Sequence, residues 1–494
     1  MTTLLVVGFM AVFMLILGTI TSYAFQQAKY GRALFAREQA LHIAEAGLEN
    51  YRWLIAHNTS AGGTMMTTGA GLSSLPSTYA VSDPEGGAVG NATLSASPSL
   101  QCGAVQWADI TSVGRAATGV GFPQTLLARY MKRSVAEYAF LYNSMVWFGS
   151  TNTGVGPYHS NSGMRMDGST NSTVTAGVSQ VWCDSTAASL GCNGVSPNPA
   201  AGWKSGVFGN SLTTSLWQYP VSTVDFSGMA VNFSSLKGYA QTAGVMLNPT
   251  SVTRAGVTQG SSFSSVSASD TKGFHLIFKS NGTVDVYRVT ATNGDTIYSY
   301  NGVDGWRYDY PVIASESLVA NVSVPSGCTL VYSQAKTWIE GTVSGKVTLI
   351  AADTGSYVPD IMLNNNITYA TTDGTTGFTA VAEGSLQVGL VVPDTLSLRG
   401  IFVAQTGAYG RDYYYPSSGY LPAEYYQYNT RSRLYVTGSL VVNQRGGLCW
   451  VSGVGCTSGF LARTNSYDRV LAFSPPPFTP AVTTDYSLVL WREQ

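Results

Sequence analysis

From Met1 to Ala28 the chain carries no charged side chain, and Lys29 is the first. About 20 apolar residues suffice to cross a bilayer as a helix, so this stretch can do so. A cleavable secretory signal is the plainer reading, with "TSYA" ending at Ala24 as its cleavage site. Against it, "MTT" holds no Lys or Arg ahead of the apolar core, and the chain retains the segment.

The helical pattern does not end at Ala28. Leu34, Leu41, Leu48 and Ile55 recur at intervals of seven, flanked by Ala44 and Tyr51, and form one apolar stripe. Ala36, Ala40, Ala44 and Gly47 form a strip of small residues that another backbone can approach closely. No proline precedes Pro76, so one helix can run to "HNTSAGG", softened only by Gly18 and Gly31. At 1.5 Å per residue it would be about 85 Å long. Such a helix is either a membrane anchor whose stalk packs on its own head, or a polymerisation helix bundled with copies of itself. In the second case Leu5, Phe9 and Phe13 join Leu34, Ala40, Leu41, Ala44, Gly47, Leu48 and Ile55 as packing residues.

Here a resemblance enters. The uncharged start leading into "ALHIAEAGLENYRW" resembles the type IV pilin superfamily, and "AEAGL" at Ala44–Leu48 resembles its minor-pilin branch. Farther on, "YHSNSGMRMDGSTN" and "AFSPPPFTP" are similar to stretches of large pilin-like proteins. The resemblance implies cleavage of a short basic leader by a prepilin peptidase, with N-methylation at Met1. It implies copies of the chain in a helical filament, built by an inner-membrane assembly machinery. The family usually has Glu at the fifth mature position, thought to pair with a neighbouring subunit's amine; this chain has Leu5. Subunit register must then be set by other groups.

The chain has 494 residues, enough for two to four domains. Charged residues make up only 11%, while Gly (54) and Tyr (29) are abundant, a mix that suits an extracellular β-rich protein. A net charge of -1 excludes an electrostatic case for nucleic acid. Cys183 and Cys192, like Cys449 and Cys456, are close enough to close short loops, which leaves Cys102 and Cys328 as a pair by elimination. Zinc is the competing reading, but these spacings are wide and lack nearby His. Three disulfides imply an oxidising compartment. Lys29, Arg32 and Arg37, just past the apolar span, point by the positive-inside rule to a cytoplasmic carboxyl side. A removed basic leader would reconcile the two.

The fold class read from these patterns is α+β, mainly β. A transmembrane and polymerisation helix occupies 1–58 and a small pilin-like antiparallel sheet 59–140. Residues 141–222 and 333–494 alternate short apolar runs with Gly, Asn, Asp and Ser. "IEGTVSGKVTLIA" and "LSLRGIFVAQ" look like rungs of a parallel β-solenoid, whose inward Val, Ile and Leu stack coil upon coil; a β-sandwich is the alternative. Residues 223–332 read as an inserted antiparallel subdomain, with Asn281-Gly282 as a two-residue hairpin turn. "SPPPFTP" straps a closing strand, "DYSLVLW", onto the end of the second solenoid part.

No nucleophile elbow, zinc-protease motif or phosphate-binding loop occurs. Solenoids can host glycan-active enzymes, for which Asp353, Asp360, Asp394 or Arg411 with Asp412 are candidates; each falls in a turn where a lone Asp commonly caps the chain. His159 and His275 have no Cys or Glu partner at useful sequence spacing. Asn293–Gly305 holds oxygen ligands but not EF-hand spacing. Sequons at Asn58, Asn91, Asn171, Asn232, Asn281, Asn321 and Asn366 mark possible glycosylation. The tyrosine-dense stretch Tyr409–Tyr435 is either an adhesive patch for host or surface glycans or proteins, or a capping loop packed on itself. We therefore expect no enzyme, cofactor or metal. The chain reads as a structural subunit of an extracellular filament, held in the inner membrane before assembly and at the cell surface afterwards. A tip-located adhesin and a membrane-anchored solenoid enzyme are the alternatives.

Overall fold

The computed structural model describes all residues except 58–71, 73, 74, 118–121, 187–189, 228–231, 262–268, 354, 356, 453 and 454. The Asn58 sequon and the opening residues of the 59–140 block lie outside the described residues. The chain divides into two compact units, the first comprising Met1–Leu100, Ala104–Met131 and Tyr486–Gln494, the second Gln101–Gly103 and Lys132–Asp485.

In the first unit, helix α1 runs unbroken over Thr2–His57. Its last turn is tied down by His57, whose Nδ1 lies 2.8 Å from the Trp53 carbonyl oxygen and whose ring stacks on the Trp53 ring. The sheet has strands β1 (Thr78–Ser82), β2 (Ala88–Gln101), β3 (Ala104–Ala116), β4 (Gln124–Ser134) and β5 (Ala481–Glu493), in that spatial order. Alternation puts one face of each strand on the helix: Ala92 and Leu94, then Ala108 and Ile110, then Leu126, Ala128 and Tyr130 are all buried in one core with Ile43, Ala44, Leu48, Tyr51 and Ile55. The placement of β5 differs from the sequence expectation. "DYSLVLW" does not close the solenoid; it is the fifth strand of the helix-bearing sheet, beside β4. Without it β4, long and half apolar, would be an open edge.

The second unit is built on parallel ladders. One ladder passes in parallel register through Val245, Val331, Leu349, Ala380, Phe402, Leu440, Phe140, Tyr158, Val174 and Trp217. These side chains stack in a single apolar core, as a coil's inward column must. A second ladder stacks Leu276, Ile339, Leu363 and Val388. A third joins Val146, Met164 and Val207.

The coils are not stacked in chain order. The chain enters at Phe140, moves away through Tyr158, Val174 and Trp217, and resumes at the other end with Val245. It then returns coil by coil until Leu440 lies directly beside Phe140. The two solenoid parts read from the sequence therefore form one stack. Helix α2 (Phe233–Thr242) and the side chains of Val224 and Phe226 cover the outer face of the first ladder on the way back. The block 223–332 contains the antiparallel strand pairs Ser251–Arg254 with Val257–Ser261 and Gly273–Phe278 with Thr283–Thr292. Two of its strands, Val245–Asn248 and Gly273–Phe278, also continue the parallel ladders, so the block completes the end of the stack. Gly282, at φ +81°, supplies the left-handed position that its hairpin turn needs. The disulfides are Cys102–Cys328, Cys183–Cys192 and Cys449–Cys456.

Candidate functional site: the amino-terminal helix

Helix α1 has two halves with different surroundings. From Met1 to Gly31 every residue is exposed within the chain, and this half is long and apolar enough to cross a membrane. Leu5 is 62%, Phe9 72% and Phe13 65% exposed, so none packs within its own chain. A helix apolar on every side is stable only when something surrounds it. Met1 is likewise exposed at the start. Thr19 and Thr21 turn their hydroxyls back onto the Ile16 and Leu17 carbonyls at 2.8 and 2.7 Å, which hides their polarity within the helix.

The second half is covered by its own sheet. Ala36, Ala40, Ile43, Ala44, Gly47, Leu48, Tyr51 and Ile55 are buried. The small-residue strip is thus occupied by the chain's own backbone. A Cβ built on Gly114 of β3 would lie 2.0 Å from the Ala40 carbonyl oxygen and 2.6 Å from the Ala44 nitrogen. A Cβ on Gly47 would lie 2.7 Å from the Ala92 Cβ. Ala40, Ala44, Gly47, Leu48 and Ile55 therefore serve helix-to-sheet packing inside one chain, not contact with another. Leu41 is half-buried at the edge of that core, and Leu34 remains 43% exposed. The heptad stripe is consequently divided: its upper members face the sheet and its lowest does not.

The charges follow the same division. Arg37 is held within its unit, its Nη2 2.9 Å from Glu493 Oε1 on β5. His42 pairs with Glu45 at 3.0 Å and Arg52 with Glu49 at 2.9 Å along the exposed side. No ion pair of Lys29, Arg32 or Glu38 occurs among the described residues.

Of the carboxylates singled out from sequence, Asp360 and Asp412 share the electrostatic influence of Arg307 and Lys336, whereas Asp353 and Asp394 are held by other groups. Asp353 accepts from Gln334 at 3.0 Å. Asp360 accepts from the Ser385 backbone nitrogen at 2.6 Å, and burial raises its pKa. Asp394 accepts from the Ser432 nitrogen at 3.0 Å. Each ties its own segment to another one 19 to 38 residues away in sequence. Asp412 is buried with Asp309: Ser299 donates to Asp412 at 2.7 Å, Tyr414 donates to Asp309 at 2.8 Å, and the Arg307 Nη2 lies 3.3 Å from Asp412. Burial, then the Asp309 charge, pushes the Asp412 pKa up to about 7, against the pull of Arg307. Arg411 is fully buried and donates to backbone carbonyls, including Leu390 at 3.0 Å.

Among the described residues no three His, Cys, Asp or Glu side chains are grouped to hold a metal ion. In the Asn293–Gly305 stretch the Asn301 Oδ1 accepts from the Val303 nitrogen, and its amide donates to Asp304 at 2.9 Å, so these oxygens close a turn. His159 contacts Thr175 and Asn161. His275, which has no acidic partner nearby in sequence, lies between Glu316 at 2.8 Å and Glu340 at 3.0 Å. Burial lowers its pKa, but the hydrogen bonds to both glutamates outweigh that and raise it. Sheet register alone makes this contact, since Trp338 is opposite His275 across the ladder and Glu340 two residues on.

In the tyrosine-dense stretch, Tyr409 and Tyr414 are core residues, whereas Tyr415, Tyr420, Tyr426 and Tyr435 are exposed. Tyr413 and Tyr420 pack around Trp306, with ring centroids 6.0 and 5.0 Å away. Trp306 belongs to the antiparallel pair Tyr298–Asn301 with Gly305–Tyr308. The loop is therefore partly a cap on the solenoid and partly an exposed aromatic surface.

No protein-family model matches the chain, and no curated protein matches it. Among solved structures it is similar to the crystal structure of the competence-associated pilin ComZ from Thermus thermophilus, at 11% identity and a TM-score of 0.28, over 93% of this chain and 97% of that one. That likeness is too slight to carry an argument about fold or function.

Proposed function

We propose that the chain is a structural subunit of an extracellular type IV pilus-like filament, held in the inner membrane by the first half of α1 before assembly. The observation that carries this reading is the division of α1: an unbroken helix whose lower half is apolar on all sides and bare, and whose upper half is packed on its own sheet. Lipid can cover the bare half in the membrane, and the same half of sister chains can cover it in a filament. The resemblance of "AEAGL" and its surroundings to type IV pilins supports the same reading. Processing by a prepilin peptidase, N-methylation at Met1 and an inner-membrane assembly machinery belong to the proposal, as does the absence of catalytic activity.

Electron microscopy of full-length chain after detergent removal tests the reading. Filaments are the expected result; a stable bilayer-embedded monomer at all concentrations refutes it. A second reading, a rare tip-located adhesin, draws on the exposed aromatic residues around Trp306. Immunogold labelling decides between them: label along the filament supports a repeating subunit, and label confined to tips supports the adhesin.

A further inference from the structure

We infer that the register between neighbouring copies is set by Lys29 and Arg32 of one chain against Glu45 and Glu49 of the next; this rests on the filament reading above. Along α1 the positive charges Lys29, Arg32 and Arg37 come first, the negative charges Glu38, Glu45 and Glu49 follow, and Arg52 lies beyond them, beside Glu49. Parallel copies packed level with each other would set like charge against like. Sliding one copy along its axis sets basic against acidic.

The direction in which these side chains leave the helix adds a second constraint. At 100° per residue, Glu38, Glu45 and Glu49 fall within an arc of about 40°. The sheet-covered face is centred between the azimuths of Ala40 and Tyr51, about 150° from Glu38, and Gly47 on that face lies about 180° from Glu38. The acidic stripe is thus on the back of the helix, away from the sheet and open to a neighbour. Lys29 shares the azimuth of Gly47, on the front, below Ala36, the first residue buried by the sheet. Arg32 lies about 60° from it. One copy therefore presents basic groups on its front and acidic groups on its back. Such a front-to-back contact is heterologous, and with an axial offset between copies it propagates as an open-ended assembly.

The sheet limits the offset. It covers the front of α1 from Ala36 upward, so a neighbour seated against Lys29 must bring the end of its helix there. That favours Glu45 and Glu49 over Glu38, and gives an axial offset of about 16 to 20 residues, or about 24–30 Å. The pairs His42–Glu45 and Arg52–Glu49 are exposed contacts, weak enough to be exchanged. This charge pairing would do the work that Leu5 cannot.

The test uses full-length chain released from detergent, scored by electron microscopy and by non-reducing gels. K29E/R32E is expected to lower filament yield at least tenfold, and K29E/R32E/E45K/E49K to restore it. K29C/E49C is expected to give a ladder of cross-linked chains, whereas K29C alone gives none. Wild-type filaments together with normal assembly of K29E/R32E, or a K29C self-cross-link, would overturn the register and leave the filament reading intact. Wild-type chain that never assembles would remove both.

Discussion

Gly114→Ala is the sharpest perturbation of the helix-to-sheet contact. The added Cβ would meet the Ala40 carbonyl oxygen at 2.0 Å and the Ala44 nitrogen at 2.6 Å. Both are backbone atoms of α1, so no side chain can rotate away. Relief requires β3 and α1 to separate by about 1 Å over at least one turn, which loosens the contacts of Ala40, Ala44 and Gly47 as well. Overpacking of this kind costs about 1–3 kcal/mol, which is about 5- to 150-fold in a local opening equilibrium. Hydrogen exchange followed by mass spectrometry, on the full chain in detergent, reads that equilibrium for the amides of residues 40–57. The control is Gly31→Ala, where the new Cβ meets nothing within 4 Å. It should strengthen the exposed helix by up to about 1 kcal/mol through propensity alone. Equal protection in the two variants would refute the claim that close backbone approach holds the helix to its sheet.

Three further predictions concern the second unit. His275 has a raised pKa, so the stability from its charge is fully present below its ordinary value of 6.5 and is lost as pH rises through the folded value. Exchange protection of Gly273–Phe278 should fall as pH is raised from 6 to 9, after correction for intrinsic rates, and His275→Gln should flatten that fall. Asp412, raised from 3.8 to about 7, opposes folding increasingly as pH rises between those values, by at most about 4 kcal/mol. Asp412→Asn should therefore protect the Tyr298–Tyr308 hairpin more at pH 8 than at pH 4, and an equal effect at both pH values would show that its charge is not the cause. Phe402→Ala opens the inward column between Ala380 and Leu440 and should cost about 3–5 kcal/mol, read as a lower denaturation midpoint of the second unit.

The periodicities of this chain declare its elements because they are local. An uncharged run with no proline and a seven-residue apolar repeat reads as a long helix, and "LSLRGIFVAQ" reads as a buried strand. The Asn281-Gly282 turn and the two short cysteine loops are also set by neighbours in sequence. Partner choice is not local. Every inward column uses the same Val, Leu, Ala and Phe, so nothing in "SLVVN" says that it lies beside "FLY". Only the packed stack puts Leu440 next to Phe140. The same applies to His275, whose glutamates are 41 and 65 residues away, while Cys102 and Cys328, 226 residues apart, could be paired from the sequence by elimination alone.

The sequence by itself determined that the first 28 residues, which carry no charge, are long and apolar enough to cross a bilayer as a helix. It also determined that the remainder would be β-rich, through alternation and stacking runs. Only the tertiary structure decided which side of the helix its own sheet takes. Small residues permit a close approach by any backbone, and the strand that reaches Ala40 and Ala44 is the chain's own, at Gly114. Tertiary structure also decided that the last strand belongs to the first unit, since the edge of β4 could be satisfied only by a partner more than 300 residues farther along the chain.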